Sequence, residues 1–396
     1  MDPLTHTLFG AALADSGLAD RRGLADRGGG TDRRTATLDA DDAPVRVPLA
    51  AATLIIGANL PDIDAVLYPL GGDLSLLWRR GWTHGILAMV VLPLLLAFGM
   101  AWWDRAVRRR RDPDALPTDP LRLLPLAFLG VWSHPTLDWM NTYGVRLLMP
   151  FDGGWFYGDT LFIVEPWLWL ALGGAIFLRH SKGPRALAGW TVLGALTSFV
   201  VLSQSPPGAR GLWVLGLVTI VTLRFRGLGT QQRWPARTAL TFMGLYIALL
   251  MVGDAAIERS VREQVAGAGL TVDDMLVGPS QGNPLRREVL IVTPTRYHFG
   301  DHDWRRYPPF RLDSVTQPRL DRAAPGSPVV EAALGAPCVR GMVNWLRHPF
   351  VEVDIHDDGS HTVYLLDARY TRVRNPRFGG THVGVDSALD HDCSRH

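Results

Sequence analysis

At 396 residues the chain is long enough for two or more domains, and its formal net charge of +2 gives no global field that would argue for a nucleic-acid partner. Two cysteines, Cys338 and Cys393, exclude a disulfide framework and any cysteine-rich zinc module. The mean hydropathy of +0.09 averages two unlike halves: apolar runs dominate residues 48–253, whereas 254–396 has the texture of a soluble protein.

The first residues carry no basic n-region, so 3–17, with His6, reads as a short helix that stays attached and not as a cleaved signal. Residues 18–47 are rich in Gly, Asp and Arg without apolar periodicity, which predicts a mobile loop. A short apolar run at 48–60 ends in Asn59-Leu60-Pro61-Asp62-Ile63-Asp64. Longer runs follow at 84–103, 121–140, 160–178, 186–204, 211–223 and 238–253, several approaching the ~20 residues that cross a hydrocarbon core. Arginine-rich connections at 18–47, 104–122, 179–185 and 224–237 alternate with poorer ones, where Arg79, Arg80 and Arg146 remain. The alternation matches eight segments with the arginine-rich loops in the cytoplasm and both termini outside. The expected fold is therefore mainly α: a polytopic transmembrane helical bundle of about six to eight segments over 1–254, followed by a soluble α+β domain over 255–396.

In the second half, 255–267 reads as a polar helix, 285–298 as one strand, and 338–347 as a short helix. Residues 351–365 alternate around Asp357-Asp358-Gly359-Ser360 and predict a hairpin, with His356 and His361 exposed beside the turn. The run His298-Phe299-Gly300-Asp301-His302-Asp303 reads as turn polarity on a solvated loop. Cys338 and Cys393 can pair if this domain is extracytoplasmic.

The same orientation brings His6, Asp62, Asp64, His84, His134 and Asp138 to one outer level of the membrane. His134 and Asp138, four apart, share a helix face at the end of an apolar run, where ionisable groups are costly unless something pairs with them. Imidazoles and carboxylates are the ligand set of zinc, manganese or iron(II), and this many donors could hold one or two divalent ions. Taken singly, each has a plainer reading: Asp62 and Asp64 as caps after Pro61, His84 as a polar span end, His6 as an exposed residue of a terminal helix. Asp62 and Asp64, two apart, would not share a face of a regular helix, so one or both could ligate. Asp159 and Glu165, at the start of the next segment on the same level, are the candidate catalytic carboxylates, Asp159 as general base.

The motifs Asp2-Pro3-Leu4-Thr5-His6-Thr7-Leu8-Phe9-Gly10, Asn59-Leu60-Pro61-Asp62-Ile63-Asp64, Arg79-Arg80-Gly81-Trp82-Thr83-His84-Gly85 and Ser133-His134-Pro135-Thr136-Leu137-Asp138 resemble, in order, a family of bacterial membrane-bound metal-dependent hydrolases. The prototype of that family is a LexA-regulated inner-membrane protein. A more distant similarity is to zinc-dependent phospholipase C, over His6, Asp62, His84, His134 and Asp138; that family's later ligands have no clear counterpart. The resemblance implies an inner-membrane hydrolase that uses a metal-activated water on an ester or phosphoester. A site at the membrane surface favours a lipid or lipid-linked substrate. Two rivals are non-catalytic: an ion- or proton-handling transporter, and a structural metal clasp with the soluble domain as a binding module.

Overall fold

The computed structural model describes residues 1–20, 47–323, 325–374 and 378–393; the loop expected at 18–47 lies almost wholly outside them. Helix α1 (Pro3–Leu13) is capped by Asp2, whose carboxylate accepts the Thr5 amide at 3.0 Å, and ends in a π-turn through Leu18. After it come α2 (Ala50–Gly57), a 3-10 segment (Leu60–Leu70), α3 (Gly72–Trp78) and α4 (Ile86–Trp103), which continues to Arg111. The remaining bundle helices are α5 (Pro120–Trp139), α6 (Pro166–His180), α7 (Pro184–Gln204), α8 (Pro207–Phe225) and α9 (Trp234–Gly267). Each of α5 to α9 carries proline in its first two positions, where the missing N–H costs nothing and the fixed φ already suits a helix.

Among the described residues, four helices are long and apolar enough to cross a membrane: Ile86–Arg111, α7, α8 and α9. A fifth arises if α2 and the 3-10 segment, bent by 42°, count as one broken span. Helices α1 and α6, at 11 and 15 residues, fall short of the ~20 needed, and α5 is diluted by its own polar residues. The larger count expected from the sequence rests on these elements as well. They lie inside: α1, α2 and α5 pack together, while α7 and α8 turn residues such as Phe199 and Leu215 outward.

Among the described residues, the C-terminal part is built on two four-stranded antiparallel sheets. The first orders β1 (Asp274–Ser280), β2 (Asn283–Val292), β3 (Arg296–Asp303) and β4 (Phe310–Pro318). The second orders β5 (Pro349–Ile355), β6 (His361–Asp367), β7 (Gly380–Val385) and β8 (His391–Asp392), preceded by α10 (Pro328–Gly335) and α11 (Arg340–Trp345). The polar end of α9 covers the first sheet, Ile257, Val261 and Val265 packing with Met275, Val289 and Ile291. The hairpin around Gly359 is present, with Ile355 opposite His361.

Two readings of this part need correction. The single strand over 285–298 is two strands, broken at Thr293-Pro294-Thr295, where proline cannot donate to the ladder. Residues 298–303 are not a solvated loop but lie in β3, with Asp301, His302 and Asp303 buried. Arg306 pairs with Asp301 and Arg305 with Asp303, each at 2.8 Å, so arginines neutralise these carboxylates. Cys338 and Cys393 form a disulfide.

The β domain sits on the loops at one end of the bundle. Gly341 approaches α3 so closely that a Cβ there would lie 2.0 Å from the Asp73 carbonyl oxygen. Arg287, almost fully buried, donates to Asp254 of α9 at 2.6 and 3.0 Å and to the Thr160 carbonyl at 3.1 Å. Trp345 Nε1 donates to the Tyr143 carbonyl, and Arg369 to that of Thr142.

Candidate metal centre

Small residues bring the ligand-bearing helices together. Gly57 of α2 and Gly130 of α5 face each other: a Cβ on either would stand 3.2 Å from the other's Cα, and one on Gly130 would stand 3.0 Å from the Leu54 carbonyl oxygen. This approach lets the α2 terminus reach one turn along α5, where the Ala58 carbonyl accepts from His134 Nδ1 at 2.7 Å. The bond fixes the tautomer of His134 and leaves Nε2 with its lone pair free.

His84, in the turn before α4, is prepared in the same way. The single Thr83 hydroxyl proton goes to Asp64 Oδ2 at 2.8 Å, so its oxygen accepts from His84 Nδ1 at 2.9 Å. Burial pushes the His84 imidazole below its ordinary pKa, against the pull of Asp138, and keeps it neutral as a ligand must be.

Four side chains converge: Asp62, His84, His134 and Asp138 each offer one ligand atom, all within 4.8 Å of one another. His134 Nε2 is 3.6 Å from Asp62 Oδ1 and 3.6 Å from Asp138 Oδ2; His84 Nε2 is 3.5 Å from Asp138 Oδ2 and 3.9 Å from Asp62 Oδ1. These separations are too long for hydrogen bonds and suit donors arranged around a common centre. Both Nε2 atoms are buried with no hydrogen-bond partner among the described residues, and Asp138 Oδ2, equally buried, has only the Arg80 guanidinium beside it. Burying such groups unpaired is expensive, and a divalent cation between them would remove that cost, so the residues present fit a metal ion.

Asp64 falls outside the group of four. It lies in a 3-10 segment and accepts from the Arg80 amide at 3.0 Å, from Arg79 Nε at 3.3 Å and from Thr83, and so supports His84 from behind. His6 also lies outside it, stacked on His134 with centroids 3.8 Å apart and its Nε2 3.3 Å from the other Asp138 oxygen. Asp159 instead pairs with Arg347 of the β domain at 2.7 Å, and burial raises its pKa. Glu165 accepts from Tyr246 Oη at 3.1 Å, and burial raises it to about 7.

Arg79 and Arg80, which the sequence places in the motif that carries His84 without marking a role for them, prove to be direct neighbours of the site. Arg79 bridges Asp62 and Asp64, each at 3.3 Å. Arg80 Nη2 lies 3.1 Å from Asp138 Oδ2, and its backbone takes a left-handed φ of 52°. Their place in the same motif as His84 was the available signal.

A buried cluster of histidines and aspartates at one end of a bundle with four span-length apolar helices defines an integral membrane protein with a candidate metal centre. Residues 1–207, which contain all four converging side chains, match the YdjM inner membrane protein family, and the chain belongs to that family. It is also similar to the uncharacterized protein YfhP of Bacillus subtilis (strain 168), 27% identical over 151 residues, 37% of this chain and 42% of YfhP. The match thus spans about two-fifths of that relative's length. No solved structure matches the chain.

Proposed function

We propose that the protein is an integral-membrane, metal-dependent hydrolase that acts on an ester or phosphoester carried by a lipid or lipid-linked molecule. The observation that carries this reading is the convergence of two correctly oriented Nε2 atoms and two carboxylates on one buried point. Zinc, or manganese or iron(II), fits that donor set, as one ion or two. When bound, such an ion acidifies water and polarises a substrate oxygen.

The chain's own residues then have distinct tasks. Ala58 and the Thr83–Asp64 pair hold the two imidazoles in register, and His6 orients Asp138 through its second oxygen. Asp62, at 19% side-chain exposure the most open of the four, marks the side from which substrate and water would enter. Asp159, whose Oδ1 has no partner among the described residues, is the candidate proton acceptor, and Glu165, buried and held by Tyr246 Oη, a secondary one.

The Cys338–Cys393 disulfide fits an oxidising compartment, which supports an extracytoplasmic site and C-terminal domain, in line with the arginine distribution. A structural clasp is the second reading, favoured by the complete burial of His84, His134 and Asp138. The test is metal analysis of the purified protein coupled to a hydrolysis screen of phospholipids and soluble phosphoesters. Metal-dependent turnover supports the hydrolase; stoichiometric metal without turnover of any ester supports the clasp.

A further inference from the structure

Arg79 and Arg80 are unusual neighbours for a cation site. They touch two of its four members, Arg79 at Asp62 and Arg80 at Asp138, and each is at least nine-tenths buried. Arg80 holds its place in a left-handed backbone conformation that a side-chain-bearing residue adopts rarely and at a cost.

Charge balance gives the pair a role. Three carboxylates, Asp62, Asp64 and Asp138, face these two guanidinium groups. Neutral imidazoles add nothing, so a divalent ion would leave the cluster with one positive charge in excess. Arg146, also buried and donating to the Leu77 and Arg79 carbonyls, adds a second. The Met1 nitrogen against Asp138 carries no negative charge and cannot offset it. Excess buried charge is costly, and an anion that enters with the substrate relieves it. A neutral carboxylic ester would not.

We infer that Arg79 and Arg80 are the substrate-binding residues for an anionic phosphoester, which narrows the substrate class to phosphoesters; this rests on the metallohydrolase reading above. Guanidinium groups match phosphate geometry with paired N–H donors. Arg80 spends Nη1 on Asn141 and the Gly144 carbonyl and Nη2 on Asp138, while its buried Nε has no partner among the described residues, so one donor of this guanidinium remains. Ile63, Val66 and Leu70, in the segment that carries Asp62, and Trp78 and Trp82, which flank the two arginines in sequence, are exposed, which suits a phosphate attached to a membrane lipid.

The test uses the full chain in neutral detergent, loaded with Mn2+ and titrated calorimetrically with inorganic phosphate. Arg79→Gln and Arg80→Gln should each weaken phosphate binding at least tenfold while metal content, measured by mass spectrometry, stays at the wild-type level. Arg79→Lys and Arg80→Lys should restore part of the affinity. Unchanged phosphate affinity in both Gln variants overturns the inference, as does metal-loaded wild type that binds no phosphate. Loss of metal together with phosphate in Gln and Lys variants alike would mark the arginines as structural and also overturn it. Wild type that binds no metal at all would instead refute the underlying metallohydrolase reading. Displacement of the phosphate by phosphatidylglycerol bicelles supports a lipid-borne group, and displacement by soluble glycerol phosphate alone a free one; displacement by neither refutes the phosphoester class.

Discussion

Gly130→Val probes how the fold makes the site. A Cβ at Gly130 would stand 3.0 Å from the Leu54 carbonyl oxygen and 3.2 Å from Gly57 Cα, both backbone atoms that cannot rotate aside. Valine adds two methyl groups to that seam, so α2 must move off α5; overpacking of this kind costs about 1–3 kcal/mol. The Ala58 carbonyl moves with α2, and its 2.7 Å bond to His134 Nδ1 lengthens or breaks. Loss of such a supporting bond lowers metal affinity about 10–100-fold. Thermal unfolding in detergent reads the first effect and calorimetric metal titration the second. Gly99→Val is the control, since Gly99 lies on the same bundle with open space around its Cβ position. Metal affinity within about twofold of wild type in folded Gly130→Val would refute the proposed link between helix approach and ligand orientation.

Other perturbations address the rest of the structure. Arg287→Met leaves Asp254 without its partner in a mostly buried junction and should cost about 3–5 kcal/mol in denaturant unfolding, much of it recovered by adding Asp254→Leu. Glu165 has its pKa raised by burial from 4.5 to about 7, so its protonated form is favoured in the fold. Its contribution to stability is full below pH 4.5 and is lost as pH rises toward 7, at about 1.4 kcal/mol per unit; Glu165→Gln should flatten that slope in a pH series of melting curves. Cys338→Ser opens a loop whose ends are 55 residues apart and should lower the stability of the C-terminal domain by about 2–4 kcal/mol, an effect that reductant should mimic in the wild type. A reporter fused after Arg259 should read as extracytoplasmic; a cytoplasmic signal would invert the orientation.

The converging residues were legible because each motif carries its ligand at a sharp break between an apolar run and a polar turn: Asp62 after Pro61, His84 before α4, His134 and Asp138 at the end of α5. Helical spacing alone placed His134 and Asp138 on one face. The division of labour between Asp62 and Asp64 was not legible, because it depends on a 3-10 turn and on Thr83 and Arg80, residues that follow 19 and 16 positions after Asp64. Asp159 was singled out as a general base by its membrane level, but its ion-pair partner, Arg347, was not legible because it stands 188 residues away. The break between β2 and β3 was visible in Pro294 and was masked by the apolar residues on both sides. Span number is the coarsest part of the reading, because apolar content marks burial in protein and burial in lipid alike, as α5 and α6 show.

The central claim is that Asp62, His84, His134 and Asp138 hold a metal ion, and metal content measures it directly. Wild-type protein purified without chelator should contain one or two divalent ions per chain, and His134→Ala combined with Asp138→Ala should lose most of them while remaining folded. A folded double variant that keeps its full metal content, or wild type that takes up no metal, would contradict the account.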